Sequence, residues 1–84
     1  MKFFVYILYS ELHRKFYIGQ TDNIESRLAR HNAGTVKSTS PYRPWLLKLT
    51  IEKSSRAEAM SLEKKLKNLS KERIEFFIQK NSKG

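Results

Sequence analysis

At 84 residues, the chain has room for one domain with a modest hydrophobic core, which excludes a second folded domain. Seventeen Lys and Arg against eight Asp and Glu give a formal net charge of +9, and a single-sign excess of this size predicts a polyanion, above all nucleic acid, as the partner. The sequence has no cysteine and no apolar run of about 20 residues, which excludes disulfides, thiolate metal sites and a membrane-spanning helix, so a cytoplasmic protein is expected.

The first segments of the chain predict a pair of strands. Residues 3–9 are almost continuously apolar and too short for a typical helix, so they are expected to form a strand that is covered on both faces. After a polar connection, residues 15–19 alternate, which sends Phe16 and Ile18 to one face and Tyr17 to the other. A hairpin is the simplest pairing of these two strands.

The next segments predict a helix and then an exposed connection. Asp22 and Glu25 have the spacing of a capping box, so a helix is expected over about residues 23–33, and Gly34 ends it. Residues 35–44 contain turn formers, two prolines and two positive charges, which is typical of an exposed loop. This loop is the segment that we expect to be mobile.

A third strand and two more helices complete the predicted order β-β-α-β-α-α. Alternation predicts four residues on the buried face of this strand: Trp45, Leu47, Leu49 and Ile51. Ser55 and Glu58 form a second capping box before a helix of about four turns, and Ser70 caps the third helix. The expected fold class is α+β, a small three-stranded, mainly antiparallel sheet with flanking helices. It forms one domain over residues 1–80, followed by a polar tail over residues 81–84.

Residues that could take part in catalysis occur at five places along the chain: Tyr6, Tyr17-Ile18-Gly19, Arg27, His31 and Glu63. In order and approximate spacing they resemble the GIY-YIG nuclease superfamily, and the resemblance covers most of the chain. The sequence also contains His31-Asn32-Ala33-Gly34 and Arg43-Pro44. With these segments it looks like the short, single-domain bacterial proteins that are related to the nuclease module of the excision-repair endonuclease.

The resemblance implies an endonuclease that hydrolyses phosphodiester bonds in DNA, including branched or damaged DNA in repair or recombination. Glu63 would hold a divalent metal, Mg²⁺ in the first place and Mn²⁺ as the alternative, bound mostly by water and phosphate. Arg27 would bind the scissile phosphate, and His31 would assist proton transfer. Tyr6 and Tyr17 would meet on paired strands, where one of them orients or deprotonates the attacking water.

Five further polar side chains are predicted to contact the nucleic acid: Gln20, Arg30, Lys37, Arg43 and Lys67. They would bind mainly the phosphate backbone, so little base specificity is expected. Gln20 follows the Tyr17-Ile18-Gly19 motif directly, at a position where the excision-repair relatives often carry lysine.

Residue types alone leave other interpretations open. Glu63 would otherwise be a solvated helical carboxylate that pairs with Lys67 at i+4. The whole chain would otherwise be a non-catalytic nucleic-acid-binding module with the same fold, or its Lys-rich helix would contact an acidic protein. The sequence separates neither DNA from RNA nor the base role of one tyrosine from that of the other, and it leaves the oligomeric state open, with a monomer among the options.

Overall fold

The computed structural model describes residues 2–82 and confirms the predicted order β-β-α-β-α-α. Its elements are β1 (Phe3–Ser10), β2 (Lys15–Thr21), α1 (Ile24–Ala33), a 3-10 helix (Ser40–Tyr42), β3 (Leu46–Lys53), α2 (Arg56–Lys67) and α3 (Lys71–Asn81). The last helix therefore runs one residue past the predicted domain end at residue 80. Residues 83 and 84 of the predicted tail lie outside the described residues.

The sheet is antiparallel and has the order β2-β1-β3, so β1 is its central strand. A central strand between two packed layers must be apolar on both faces, which explains the continuous apolar run over residues 3–9. In the hairpin, Tyr6 lies opposite Gly19 and Leu8 lies opposite Tyr17. This register puts the two tyrosines on the same face of the sheet, as the alternation of β2 predicts.

Each face of the sheet carries its own hydrophobic cluster. On one face, α2 and α3 cover a cluster of buried residues consisting of Val5, Ile7, Ile18, Ala59, Leu66 and Ile74. On the other face, Tyr6, Leu8 and Trp45 are buried and pack against Tyr17, Ile24, Leu28 and Tyr42. We call these the helix-pair face and the tyrosine face. The tyrosine face is covered by α1 and by the connection that follows it.

An irregular register in β3 changes which side chains share a face. Ile7 pairs with Leu49 and Leu8 pairs with Leu47, so Lys48 is an extra residue in β3. A bulge of this kind interrupts the alternation of the strand. The prediction that Trp45, Leu47, Leu49 and Ile51 share one buried face is therefore wrong: Trp45 belongs to the tyrosine face and Leu47 is 39% exposed, whereas Leu49 packs on the helix-pair face.

The first helix begins one residue later than its predicted capping box. Asn23 is the N-cap, and its side chain accepts a hydrogen bond of 3.0 Å from the Ser26 amide. The prediction of Asp22 as the cap is therefore wrong. Asn and Asp are equally good caps, so the residue types could not decide between these two neighbours, and only the backbone geometry does. Gly34 ends α1 with a φ of 81°, a left-handed conformation that glycine adopts without strain.

The predicted caps of the two later helices are confirmed. The Ser55 hydroxyl accepts from the Glu58 amide at 3.1 Å, and the Ser70 hydroxyl accepts from the Arg73 amide at 3.3 Å. The carboxylate of Glu58 accepts from the Ser54 hydroxyl at 2.9 Å. None of the helices described for residues 2–82 combines the length and the apolarity that crossing a membrane requires.

The connection over residues 35–44 is tied to the body of the protein. Thr39 is 1% exposed, and its carbonyl accepts a hydrogen bond of 2.9 Å from the Trp45 indole. The Asn32 amide donates to the Trp45 carbonyl at 3.1 Å and accepts from the Trp45 amide at 2.6 Å. The prediction of an exposed loop is therefore wrong at Thr39, because this residue satisfies buried polar partners that the sequence does not reveal.

Candidate active site

A chain of buried hydrogen bonds runs from the central strand to the connection after α1. Tyr6 Oη lies 3.0 Å from His31 Nε2, and His31 Nδ1 lies 2.8 Å from Thr39 Oγ1. The Thr39 hydroxyl donates its own proton to the Val36 carbonyl at 3.3 Å, so it accepts a proton from His31. We therefore place the imidazole proton of His31 on Nδ1. His31 Nε2 then carries a lone pair and accepts the proton of the Tyr6 hydroxyl.

His31 is held in its neutral form. The residue is fully buried, and burial lowers the pKa of its imidazole because the charged form loses its hydration. The positive charges of Arg27 and Arg30 lower this pKa further. A neutral imidazole whose lone pair faces a phenol is a base that can take the phenolic proton.

Tyr6 is held in its protonated form. Burial raises the pKa of the Tyr6 phenol, and the neighbouring Tyr17 and Glu63 raise it as well. Arg27 acts in the opposite direction and lowers this pKa. Because the raising effects dominate, an isolated Tyr6 phenolate is disfavoured, and Tyr6 can act in proton transfer only if its own proton leaves at the same time.

Tyr17 forms the outer wall of this aromatic group. Its ring centroid lies 6.2 Å from that of Tyr6 and 4.9 Å from that of His31, and the side chain is half-buried. Gly19 leaves room for the Tyr6 hydroxyl, since a Cβ atom at position 19 would lie 2.5 Å from Tyr6 Oη. The structure therefore brings Tyr6, Tyr17 and His31 together, as the sequence predicts.

Glu63 extends from α2 toward the sheet and has both carboxylate oxygens bound. Oε1 accepts a hydrogen bond of 2.8 Å from Gln20 Nε2, and Oε2 lies 2.9 Å from Lys67 Nζ. The i+4 pairing with Lys67 that residue type alone indicates is thus present. Gln20 stands on β2 one residue after Gly19, so it links Glu63 to the strand that carries Tyr17. Gln20, predicted as a nucleic-acid contact, holds the predicted metal ligand in this structure.

The oxygen atoms around Glu63 fit a hard divalent cation. Among the described residues, no three His, Cys, Asp or Glu side chains form a cluster, so a cage built only of protein ligands is absent there. The carbonyl oxygen of Gln20 is buried and has no hydrogen-bond partner within residues 2–82. A single carboxylate such as that of Glu63 suits Mg²⁺, which keeps several waters and uses few protein ligands.

The two arginines of α1 act on the buried pair mainly through their charge. Arg27 is half-buried and Arg30 is exposed, and both affect the pKa values of Tyr6 and His31. Within residues 2–82, neither guanidinium forms an ion pair with a carboxylate. The guanidinium of Arg27 is therefore available for a phosphoryl group next to Tyr6.

Lys37 and Arg43 lie on the connection after α1. Lys37 is exposed. Arg43 donates from Nε to the Ser40 carbonyl at 2.9 Å, and its guanidinium packs against Gly34. Arg43 thus holds the connection against the end of α1, while Lys37 extends into solvent.

Thr39 is the site residue that sequence reasoning missed. It fixes the tautomer of His31 and ties the connection to Trp45, yet it stands in a stretch of similar residues, Thr35, Ser38 and Ser40. Nothing in the local pattern separates the buried hydroxyl of Thr39 from its less buried neighbours, because its partner is set by the packing of α1.

Comparison with known proteins gives consistent matches. A profile described as the GIY-YIG catalytic domain matches residues 2–75, a stretch that contains every predicted catalytic residue. The chain is 39% identical over 72 residues to a UPF0213 protein of Staphylococcus haemolyticus (strain JCSC1435), which is 84% of this chain and 87% of that protein. The solution NMR structure of a UPF0213 protein from Bacillus halodurans has a TM-score of 0.63 and 30% identity, and the match covers 96% of this chain and 86% of that chain.

Proposed function

Because the chain belongs to the GIY-YIG family of nucleases, we propose that it is an endonuclease that hydrolyses phosphodiester bonds in DNA with a divalent cation bound at Glu63. The observation that carries this proposal is the buried hydrogen bond between Tyr6 and neutral His31, next to Tyr17. The bond satisfies two buried polar groups, and it also gives the Tyr6 phenol a proton acceptor, which general base catalysis through Tyr6 requires.

The buried pair can activate water without forming a free phenolate. As a water oxygen attacks the phosphorus atom, its proton passes to Tyr6 Oη while the Tyr6 proton passes to His31 Nε2. Tyr6 remains neutral throughout, and the positive charge appears only transiently on His31. Because its surroundings lower the pKa of His31, the imidazole then readily returns the proton to solvent. Tyr17, which is half-buried beside the pair, orients the water.

Charge on the phosphoryl group requires separate stabilisation. Arg27 offers a planar fork of donors that suits two phosphoryl oxygens. A bound Mg²⁺ or Mn²⁺ ion would supply further charge stabilisation and would help the departing oxygen. Glu63 would hold this ion, with Gln20 fixing the orientation of the carboxylate.

The positive charge of the chain supports DNA as the substrate, bound mainly through its backbone. Arg30, Lys37, Arg43 and Lys67 would contact phosphates on either side of the scissile bond. Backbone contacts read shape more than sequence, which favours branched or damaged DNA in repair or recombination, in the cytoplasm of a bacterial cell.

A second candidate function is a nucleic-acid-binding module without cleavage activity. Two observations favour it: Gln20 stands where related nucleases often carry lysine, and both oxygens of Glu63 are already bound within the chain. The two candidates share the DNA partner and differ only in chemistry.

Incubation with plasmid, flap and four-way-junction DNA, in Mg²⁺ or Mn²⁺, separates these candidates. We expect cleavage by the wild type and a loss of at least about 100-fold in rate for Glu63→Ala and for Tyr6→Phe. Glu75→Ala, an exposed glutamate of α3, is the matched control and should keep the wild-type rate. Cleavage that survives in Glu63→Ala contradicts the proposed site, and binding without cleavage in all conditions selects the second candidate.

A further inference from the structure

The ion pair between Lys67 and Glu63 occupies the place where a cation would bind. Lys67 Nζ lies 2.9 Å from Glu63 Oε2, and the two residues are one helical turn apart on α2. The Glu63 side chain is only 18% exposed, whereas the Lys67 side chain is 54% exposed. A mostly buried carboxylate thus has its charge neutralised by an ammonium group that approaches it from solvent.

We propose that Lys67 is the internal counter-cation of the Glu63 site and that a divalent cation binds there by displacing it. The inference rests on the proposed function, since it requires Glu63 to be the metal ligand. Lys67 would then act at the metal site before DNA binds, in addition to its predicted contact with DNA. The metal affinity of the chain is then set by a competition at one carboxylate oxygen.

Lys67 is the partner that gives way, and Gln20 is the partner that stays. A lysine ammonium is strongly hydrated and sits on a flexible stem, so it exchanges its carboxylate for water at little cost. Gln20 is half-buried on β2 and donates to the other oxygen, Oε1. Losing that bond would leave a second polar group of Gln20 without a partner, besides its carbonyl oxygen.

The neighbouring Lys64 provides a matched comparison. Met60, Glu63, Lys64, Lys67 and Asn68 line one shallow depression on α2. Lys64 carries the same charge as Lys67 in this depression, but within residues 2–82 it forms no ion pair with a carboxylate. Replacing either lysine removes one positive charge near Glu63, and only replacing Lys67 removes the competitor.

Titration of the protein with Mg²⁺, without DNA and at constant ionic strength, tests the inference by NMR. The side-chain amide of Gln20 and the backbone amide of Glu63 report binding at this position. We expect Lys67→Met to lower the Kd for Mg²⁺ by about fivefold, since it removes both the pairing and the repulsion of a nearby ammonium. Lys64→Met should change the Kd less than about twofold, and Lys67→Arg should restore weak binding.

The outcomes separate this inference from the proposed function. Glu63→Ala should abolish the Mg²⁺-dependent shifts in every background. If shifts occur and depend on Glu63, but Lys67→Met and Lys64→Met have equal Kd values, the inference about Lys67 is wrong and the proposed metal site stands. If no Glu63-dependent binding occurs in the wild type or in either lysine variant, the metal site itself is wrong and the inference falls with it.

Discussion

Gly19 is placed where no larger residue fits. It lies opposite Tyr6 in the hairpin, and a Cβ atom would lie 2.5 Å from Tyr6 Oη and 2.7 Å from Tyr6 Cζ. The Tyr6 ring is buried and bonded to His31, so it has no free volume into which to move. We expect Gly19→Ala to lower the free energy of unfolding by about 1–3 kcal/mol, measured by urea denaturation.

A variant of Tyr6 tests whether the Tyr6 ring causes the loss of stability in Gly19→Ala. In Tyr6→Leu, the distal ring atoms that meet the new methyl group are gone. There, Gly19→Ala should cost less than in the wild type or even stabilise, because alanine loses less backbone entropy than glycine on folding. An equal cost in both backgrounds would show that the backbone of β2, and not Tyr6, requires glycine.

The neutral state of His31 makes stability depend on pH. Burial, Arg27 and Arg30 lower the pKa of His31 below its ordinary value of 6.5, so below that pH the unfolded chain binds a proton that the folded chain excludes. Stability should therefore be complete above about pH 6.5 and should decrease as the pH falls from there toward the lowered pKa. Thermal unfolding measured between about pH 7.5 and 5.5 checks this sign.

The two histidines of the chain allow a matched control for this experiment. His31→Gln should reduce the pH dependence in this window, while His13→Gln, which replaces an exposed imidazole in the turn after β1, should preserve it. A wild-type stability that rises as the pH falls from 7.5 to 5.5 would contradict a buried neutral His31.

At the scale of elements, local signals predict the strands and helices well and predict the faces of β3 poorly. The alternation of β2 places Tyr17 correctly because it needs only neighbouring residues. In β3, one extra residue at Lys48 moves Leu47 and Leu49 to different faces. A bulge depends on how the strand pairs with β1, so the same apolar alternation is compatible with either arrangement.

Local sequence information predicts one part of the candidate site, and the other part depends on long-range contacts. Tyr6, Tyr17 and His31 come together because a hairpin and a helix of standard geometry place them, so the motif is sufficient to predict them. The bond between Gln20 and Glu63 joins residues 43 positions apart and depends on where α2 crosses the sheet. Sequence spacing carries no information on that crossing, which is why Gln20 is predicted as a DNA contact.

The junction between α1 and β3 depends on one side-chain amide. Asn32 exchanges two hydrogen bonds with the backbone of Trp45, as a strand neighbour would. Asn32→Asp removes the donor and places a carboxylate next to the Trp45 carbonyl. We expect a loss of about 1–3 kcal/mol in stability and faster hydrogen exchange at the Trp45 amide and indole, followed by NMR.

Thr35→Val is the matched control in the same connection. It deletes one exposed hydrogen bond, from the Thr35 hydroxyl to the Arg30 carbonyl at 3.0 Å, and leaves the Asn32 amide intact. Exchange at Trp45 should then remain slow. Equal acceleration in both variants would mean that the connection is held as a whole and not by Asn32.

At the scale of the molecule, both faces of the sheet carry charged helices, and the proposed function predicts which side meets DNA. The tyrosine face carries α1, with Arg27 and Arg30 near the buried pair. The helix-pair face carries α3, whose exposed Glu72 and Glu75 line a groove with Phe76. The glutamates do not make α3 acidic, since it also carries Lys71, Arg73 and Lys80. The proposed function predicts that DNA approaches the side where Arg27 and Arg30 act on Tyr6.

Salt dependence tests this orientation. Binding through about four phosphates would weaken the affinity for DNA about 100-fold between about 50 and 200 mM salt. If the tyrosine face makes these contacts, Arg30→Gln should reduce the slope of log K against log salt by about 0.9, the contribution of one phosphate. Lys80→Gln, an equal loss of charge at the end of α3, should leave the slope unchanged. Equal effects of the two variants would mean that DNA binds without a preferred face, whereas an effect confined to Arg30 places the bound DNA on the side of Tyr6 and His31.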